Sequence, residues 1–318
     1  MLMTPAPVAA PVAAIDLGSN TVRLLVATAA GDRINRHLQR QAVTRLGQGL
    51  QPGGSLKSEA VRRTWRVLLE YWSLARGAGA VRTLLGATMA VREAADGREF
   101  MDRAGRELGF TPVILTGRQE ADLTVAGVLT ALRPVPETAV VFDLGGRSTE
   151  FILTRRREAV WTRSLALGAV ALTEALLAGD PPRSEEITAV RDRVKETVTA
   201  GLADLPRPAG RMELVGTAGT VTTLAAMDQG LAEYRREWVD NYRLNRAGLE
   251  RLFARMAGLP LAERTTLPGL PADRADVIVA GTAAVLGIMD SFQANHIIVS
   301  DAGLLEGLWL AAAGIRSV

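Results

Sequence analysis

A carboxylate followed by a glycine turn occurs twice in this chain. In the stretch VVFDLGGRSTEFIL (residues 140–153), Asp143 ends an apolar run, Gly145 and Gly146 follow it, and Ser148 comes after the turn. This pattern predicts a strand, a tight hairpin turn and a second strand. Glycine permits a positive φ and leaves backbone N–H groups uncovered, and successive N–H groups in such a turn bind anions. A strand-end carboxylate beside them can bind a hydrated divalent cation.

The stretch AAIDLGSNTVRLLV (residues 13–26) repeats this pattern without a gap. Internal self-similarity usually marks a duplicated structural unit, and here polar residues recur together with apolar ones, which favours a shared chemical role. Two such hairpins facing each other would hold a phosphate and its metal ion from two sides. A duplicated fold whose hairpins have no chemical role would also produce the repeat. The aligned pairs are Asp16 with Asp143, Gly18 with Gly145, Thr21 with Ser148, and Arg23 with Glu150.

The composition limits the chemistry that the chain can perform. Its 318 residues include no cysteine and two histidines, His37 and His296. Disulfides, thiolate metal sites and thiol nucleophiles are therefore excluded, and a Ser-His-Asp hydrolase is disfavoured. Any metal ion must have oxygen ligands, which favours magnesium, manganese or calcium. Almost every cation is an arginine, a residue that binds phosphate through paired hydrogen bonds, although genomic base composition is the larger cause of this bias.

The sequence also predicts where the protein works. No apolar run reaches the roughly 20 residues that span a bilayer. Residues 1–12 lack a basic segment and contain prolines, which predicts a flexible leader and not a signal peptide. Because aromatic residues are few, stacking on the bases of a nucleic-acid polymer is not expected. We therefore expect a cytoplasmic protein without a membrane or nucleic-acid partner.

The intervening elements bring further polar residues to predicted strand ends, where ligands bind in open α/β sheets. Arg92 lies one turn into a helix that follows a strand, and a surface position explains it equally well. Glu120 lies in the first turn of a helix predicted to start near Gly117, where an acidic residue also complements the helix dipole. The loop 216–220 joins a strand to a helix and predicts an anion site made of backbone amides. The residues assigned to that loop site are Gly216, Thr217, Gly219 and Thr220.

From about Ala13 onward, the chain resembles the exopolyphosphatase and guanosine pentaphosphate phosphohydrolase family, a branch of the actin-like ATPase and sugar-kinase superfold. The resemblance implies an α/β protein of two ribonuclease-H-like domains, residues 13–134 and 135–318, with an active-site cleft between them. The last helix could pack back on the first domain. The matching blocks are AAIDLGSNTVRLLV, GATMAVREAADGREF, ILTGRQEADLTVAGV, VVFDLGGRSTEFIL, LALGAVALTE, VGTAGTVTTLAA, RADVIVAG and IIVSDAGLLEGL.

The same resemblance implies hydrolysis of a terminal phosphate from inorganic polyphosphate or pppGpp, assisted by Mg²⁺ or alternatively Mn²⁺. Glu120 looks like the family's catalytic glutamate, a general base for the attacking water. Asp143 looks like the second essential carboxylate, and the expected metal ligands are Asp16, Asp143 and Glu150. The expected phosphate-binding residues are Asp16, Gly18, Ser19, Asn20, Thr21, Arg23, Arg92, Gly145, Gly146, Arg147 and Ser148, together with the loop residues Gly216, Thr217, Gly219 and Thr220.

Three positions depart from the family pattern. Arg147 replaces the third glycine of the family pattern DxGGGSxE. If the backbone needs a positive φ there, the β-carbon of Arg147 would lower the stability of the fold by about 1 kcal/mol. Alternatively, its side chain adds a phosphate contact. Gln119 stands where many members carry another glutamate. Leu305 replaces a common arginine, which predicts that one contact to the anionic substrate is missing.

Two other classes of function remain open from the sequence. An ATP-dependent phosphotransferase of the same superfold would use the same pair of hairpins. A non-catalytic sensor that binds polyphosphate or an alarmone is suggested by the changes at Arg147 and Leu305. A homodimer is compatible with the sequence, although no interface is readable from it, and neither is a preference between polyphosphate and pppGpp.

Overall fold

The computed structural model describes residues 10–30, 33–51, 53–206 and 212–317. Most of the leader expected at residues 1–12 lies outside these ranges. The described residues form two compact units. Unit one contains the residues up to Thr130 and those from Gly303 onward, and unit two is Ala131–Ala302. Among the helices in the described ranges, none combines the length and apolar character needed to cross a membrane.

Unit one is built on a mixed sheet with the strand order β3-β2-β1-β4-β5. The first three strands pair antiparallel, and β4 and β5 continue the sheet parallel to β1. Its elements are β1 (Val12–Leu17), β2 (Thr21–Ala30), β3 (Arg33–Val43), α1 (Ser58–Gly77), β4 (Thr83–Ala87), α2 (Met89–Glu93), α3 (Gly97–Leu108), β5 (Thr111–Ile114), α4 (Gly117–Ala131) and, from the end of the chain, α12 (Leu304–Ala312).

Unit two is built on a sheet with the strand order β10-β11-β9-β6-β7-β8. Three consecutive antiparallel strands are again followed by parallel ones, and β10 is added at the edge. Its elements are β6 (Thr138–Leu144), β7 (Thr149–Arg155), β8 (Glu158–Leu165), α5 (Ala169–Leu176), α6 (Ser184–Gly201), β9 (Glu213–Thr217), α7 (Ala218–Asp228), α8 (Arg236–Val239), β10 (Arg243–Asn245), α9 (Arg246–Ala257), α10 (Leu261–Arg264), a 3₁₀ turn (Ala272–Arg274), α11 (Ile278–Ser291) and β11 (His296–Val299).

The two sheets share one plan, because β8-β7-β6-β9-β11 in unit two repeats β3-β2-β1-β4-β5 in unit one. The repeat read from the sequence therefore corresponds to equivalent hairpins, β1–β2 and β6–β7. Side chains alternate between the faces of a strand. Ile15 and Phe142 consequently occupy equivalent core positions in the main apolar cluster of their unit, while Asp16 and Asp143 lie on the opposite faces of their sheets.

The sheet of unit one is covered by apolar layers on both faces. On one face, Ile15 packs in the same cluster as Leu68 and Tyr71 of α1, two residues of the apolar stripe of that helix. On the other face, Val12 shares a cluster with Trp309 of α12, whose indole N–H donates to the carbonyl of Val12 at 3.2 Å. The C-terminal helix is thus an integral layer of unit one.

Helices α4 and α12 approach each other so closely that glycine is required at the contact. A β-carbon at Gly127 would collide with the carbonyl of Gly303, and one at Gly307 would collide with the carbonyl of Leu123. In the same helix, Leu305 is 1 % exposed and belongs to the apolar cluster under α12. Its side chain is therefore a core residue of unit one, and packing explains the leucine at this position.

Glu186 in the first turn of α6 fixes the loop that precedes the helix. Its carboxylate accepts hydrogen bonds from the backbone N–H groups of Ala178 (3.1 Å), Gly179 (3.1 Å) and Arg183 (2.8 Å), and from the Arg183 guanidinium (3.0 Å). The backbone hydrogen bond from Arg183 is the main cause that lowers the pKa of Glu186 from 4.5 to about 2. The ionised carboxylate therefore stabilises the fold.

We expect the Glu186→Gln variant to lose stability at neutral pH and to show a weaker dependence on acid. A lowered folded-state pKa gives stabilisation that is present above pH 4.5 and is lost as the pH falls towards 2. Urea unfolding between pH 7 and pH 2 measures this. The wild-type protein should lose more stability over that interval than the variant, and the exposed neighbour Glu185→Gln serves as the control. Parallel pH profiles for Glu186→Gln and wild type would contradict the assignment.

Candidate active site

The two hairpin turns are closed in the same way. The N–H of Gly18 donates to the carbonyl of Thr21 at 3.0 Å, and the N–H of Gly145 donates to the carbonyl of Ser148 at 2.9 Å. Below the turns, Asp16 pairs in register with Arg23 and Asp143 with Glu150. The gapless alignment of the two stretches therefore holds at the level of individual backbone pairs.

Each turn presents backbone donors that the protein itself does not use. Within the described residues, the N–H groups of Ser19 and Asn20 in unit one make no hydrogen bond, and neither do those of Gly146 and Arg147 in unit two. Unpaired amides beside a carboxylate at the end of a strand are suited to an anion that arrives with a cation. This is the arrangement that the sequence predicts for both turns.

The carbonyl groups of the same turns are bound by the segment that follows the third strand of the sheet. In unit one, the N–H groups of Thr44 and Arg45 both donate to the carbonyl of Asn20 at 2.9 Å, and the N–H of Gly47 donates to the carbonyl of Ser19 at 2.8 Å. Because the carbonyls are held on the protein side, the amides of the turn are left for a ligand. Sequence reasoning missed this role of residues 44–47.

Unit two repeats the bracing with the N-terminus of α5. The N–H of Ala169 donates to the carbonyl of Gly145 at 3.1 Å, and those of Val170 and Ala171 donate to the carbonyl of Gly146 at 2.8 and 3.0 Å. The first amides of a helix lack intrahelical acceptors, so the turn carbonyls satisfy them. The helix end and the turn thus hold each other in place.

The glycines of the turns do not have a positive φ, which corrects the expectation from the sequence. Gly18, Gly145, Gly146 and Arg147 are not among the described residues that have a positive φ. A β-carbon would instead lie 3.1 Å from the Thr21 carbonyl at Gly18 and 3.0 Å from the Ser148 carbonyl at Gly145. Arg147 therefore carries its side chain without the backbone strain anticipated for a residue that replaces glycine.

Glu120 is held by an arginine at the carboxyl end of the unit-one sheet. Nη1 of Arg92 donates to Oε2 of Glu120 at 3.1 Å and to the carbonyl of Leu115 at 2.7 Å. The side chain of Glu120 is 13 % exposed and that of Arg92 is 32 % exposed. The structure thus brings together Arg92, for which the sequence also allowed a surface position, and Glu120, which the helix dipole also explained. In the same unit, Nε of Arg23 lies 3.9 Å from the buried carboxylate of Asp16.

Gln119 has a structural task at the start of α4. Its side-chain oxygen accepts hydrogen bonds from the backbone N–H and the hydroxyl of Thr116, both at 2.9 Å, and the Thr116 hydroxyl accepts one from the N–H of Gln119 at 3.2 Å. This reciprocal pattern is a capping box. Gln119 thus caps the start of α4, a task that glutamate would perform as well, and Glu120 follows it in the first turn.

In unit two, the register pair Asp143 and Glu150 brings two carboxylates together. Oε1 of Glu150 accepts hydrogen bonds from the hydroxyls of Ser148 at 2.8 Å and Ser164 at 2.9 Å. Burial and, after it, the negative charge of Asp143 raise the pKa of Glu150 from 4.5 to about 7. Ser148 therefore supports Glu150 in this structure, and Ser164 is a member of the cluster that sequence reasoning missed.

The loop predicted from 216–220 is tightly packed. The Thr217 hydroxyl donates to the carbonyl of Ala302 at 3.0 Å, and Thr220 is 5 % exposed. β-Carbons at the two loop glycines would collide with neighbouring side chains, with Phe142 at Gly216 and with the Arg274 guanidinium at Gly219. Gly216 and Gly219 are thus closely surrounded by side chains.

The backbone strain of this loop lies at Ala218, which has a φ of 73° at the start of α7. Such a conformation is unusual for a residue with a β-carbon and concentrates at functional sites. Thr217, the residue before it, pairs in register with Asp143 on the neighbouring strand. The strained residue therefore follows directly on a strand end that lies next to the Asp143 and Glu150 pair.

The carboxylates of unit two fit the donor set that magnesium prefers. Among the described residues, no group of three or more histidine, aspartate or glutamate side chains is arranged to hold a metal ion by itself. Mg²⁺, however, commonly binds one or two protein carboxylates and completes its shell with water and phosphate oxygens. Asp143 and Glu150, opposite each other across the strand pair, match that mode of binding.

The fold and the paired turns define the class of protein. The chain is an α/β protein of the actin and sugar-kinase superfold, with two ribonuclease-H-like units. The profile of the Ppx/GppA phosphatase family matches residues 25–314, so the chain belongs to the Ppx/GppA phosphatase family. The family and the fold class that the sequence predicts are both confirmed.

Individual relatives match over almost the whole chain. Exopolyphosphatase 2 of Mycobacterium tuberculosis is 34 % identical over 317 residues, covering 95 % of this chain and 98 % of that protein. The crystal structure of the Ppx/GppA family member from Aquifex aeolicus is similar with a TM-score of 0.83 and 30 % identity, covering 97 % and 99 % of the two chains. An exopolyphosphatase from Cytophaga hutchinsonii is similar with a TM-score of 0.84 and 25 % identity, covering 96 % and 99 %.

We expect Gly168→Ala to destabilise the protein by about 1–3 kcal/mol, the range for forcing a methyl group into a packed site. The new β-carbon would collide with the backbone of Gly146 and Arg147 and push the turn away from α5. Urea unfolding measures the loss. Gly77→Ala is the matched control, because no atom lies within 4 Å of a β-carbon built there. Equal stability of the two variants would show that the turn does not depend on this contact.

Proposed function

We propose that this protein releases terminal phosphate from inorganic polyphosphate or pppGpp, by Mg²⁺-assisted attack of a water molecule that Glu120 activates. The observation that carries the proposal is the pair of equivalent turns, in which Ser19 and Asn20 in one unit, and Gly146 and Arg147 in the other, offer unpaired amides next to strand-end carboxylates. The names of two relatives, both exopolyphosphatases, support the polyphosphate substrate.

The surroundings of Glu120 support its role as general base. Arg92 donates from a single nitrogen to Glu120 and to the carbonyl of Leu115, which fixes the orientation of the carboxylate. A general base must be aimed at the proton that it removes. The charge of Arg92 also favours a phosphate nearby, because guanidinium groups bind phosphate oxygens strongly.

Positioning and electrostatics would supply most of the remaining rate acceleration, as is usual in phosphoryl transfer. The amides of the two turns are fixed before the substrate arrives, since residues 44–47 and 169–171 hold the turn carbonyls. Donors that need no rearrangement stabilise the charge of the transition state at little cost. Arg23 and Arg92 add positive charge in unit one.

Asp143 and Glu150 would hold the metal ion, with Asp16 as the third ligand expected from the sequence. Like charges across a strand pair repel each other, and a divalent cation between the two carboxylates would relieve that repulsion. When bound, the ion would neutralise charge on the phosphoryl oxygens. The serine hydroxyls that bond to Glu150 hold its carboxylate in a defined orientation.

Glu120→Gln should lower the rate of phosphate release by about 10²–10⁴, the usual contribution of a general base, while substrate binding is retained. Release of phosphate from polyphosphate and from pppGpp, measured separately with Mg²⁺, tests both the mechanism and the substrate. Glu107→Gln, an exposed change of the same type in unit one, is the control. Unchanged release by Glu120→Gln would remove Glu120 from the mechanism, and no release from either substrate by the wild type would favour the sensor. Transfer of phosphate from ATP to an acceptor would favour the phosphotransferase.

Mg²⁺ should raise the melting temperature of the wild-type protein, and Mn²⁺ should act similarly, because a ligand that binds the folded state stabilises it. The rise should be smaller in Asp143→Asn and in Glu150→Gln, while the exposed Glu137→Gln should keep the full effect. Thermal unfolding with and without the ion measures this independently of turnover. A full rise in both site variants would place the ion elsewhere.

A further inference from the structure

An ion pair connects the phosphate-binding turn of unit two to helix α5. Nη2 of Arg147 donates to Oε2 of Glu174 at 3.1 Å, and the two side chains are 30 % and 52 % exposed. An ion pair in this much water is weak, and losing it changes an equilibrium constant by about fivefold at most. A more highly charged anion can therefore compete for the guanidinium.

Glu174 is fixed relative to the turn. The N–H groups of Ala169 and Val170, in the first turn of α5, bond to the carbonyls of the turn, and Gly168 lies directly beneath it. Glu174 follows within the same helix, so its backbone is fixed relative to the turn, and its carboxylate meets the guanidinium that extends from the turn.

Arg147 is itself a residue of the turn, and its backbone N–H is one of the unpaired donors. Its side chain therefore starts next to the proposed phosphate position. A long side chain that starts beside the phosphate in the turn can reach the next phosphate of a chain. The guanidinium has five N–H donors, and one of them serves the bond to Glu174. The others suit the oxygens of a linked phosphate group.

We propose that Glu174 is a specificity-determining residue, which holds the Arg147 guanidinium so that linear substrates with several linked phosphates must compete for it. A single phosphate occupies only the turn and leaves the ion pair intact. The Arg147 guanidinium thus favours a linear chain of linked phosphates over a single phosphate, and Glu174 limits that preference. This inference rests on the proposed function, since it assumes that the turn of unit two binds phosphate.

A double-mutant cycle with tripolyphosphate and orthophosphate tests the inference. Binding is measured by calorimetry in the Glu120→Gln background, so that the ligand is not consumed. Glu174→Gln should bind tripolyphosphate about two- to fivefold more tightly, the range set by an exposed ion pair. Arg147→Gly should bind it about three- to tenfold more weakly, since a charge-assisted contact is lost. Orthophosphate affinity should change in neither variant.

The cycle separates the ion pair from a general effect of charge. In the Arg147→Gly background, Glu174→Gln should have no further effect, and the exposed Glu158→Gln on β8 should leave tripolyphosphate affinity unchanged in every background. Arg147→Gln keeps the β-carbon and replaces Arg147→Gly if the glycine lowers the melting temperature. A tighter affinity that persists without Arg147, or that also appears in Glu158→Gln, would overturn the inference.

The outcomes also separate this inference from the function on which it rests. If wild-type protein releases phosphate but tripolyphosphate affinity is the same in all four members of the cycle, the role of Glu174 is wrong and the proposed function stands. If neither ligand binds to the wild type or to any variant, the turn is not a phosphate site, and both are overturned.

Discussion

The bracing of two β-hairpin turns is the constraint on which the rest of this structure depends. A glycine turn in isolation can rotate its peptide groups and point either a carbonyl or an N–H outward. Here residues 44–47 bind the carbonyls of Ser19 and Asn20, and the start of α5 binds those of Gly145 and Gly146. The amides are therefore left facing outward before any ligand is present. The same solution occurs in both units, although the bracing segment is a loop in one and a helix in the other.

The two units share a backbone plan and differ in charge. At equivalent register positions, unit one places Arg23 opposite Asp16 and unit two places Glu150 opposite Asp143. The first pair is compensated within the protein, whereas the second holds two carboxylates together and raises the pKa of Glu150. One duplicated scaffold thus carries a neutralised charge pair in unit one and two adjacent carboxylates in unit two.

Much of the fold could be read from the sequence because its signals are local. The strand–turn–strand repeats and the start of α4 at Gly117 follow from local patterns of apolar residues and glycines. Membership of the family followed from eight ordered blocks. These features can be predicted without knowing which distant segments of the chain contact each other.

The details of the site could not be read in the same way, because they depend on tertiary contacts. Ser164 reaches Glu150 from a neighbouring strand, and Gly168 is required by a turn about twenty positions earlier in the chain. The turn glycines carry ordinary φ angles, so the expected strain at Arg147 is absent, and a strained backbone occurs instead at Ala218. Leu305, interpreted as a lost substrate contact, is a core residue because α12 covers the sheet of unit one. Each of these corrections comes from a partner that sequence spacing does not identify.

The position of α12 has a consequence for how the protein is made. Its glycine contact with α4 and the indole of Trp309 on β1 complete unit one with residues that are synthesised after the whole of unit two. Domains tend to fold as they emerge from the ribosome, N-terminal part first. Unit two, a continuous segment, can close as soon as Ala302 has emerged, whereas the face of the first sheet at Val12 and Ala14 stays uncovered until α12 has emerged as well. The nascent chain therefore carries an exposed apolar sheet face while all of unit two is synthesised, and chaperones bind such surfaces.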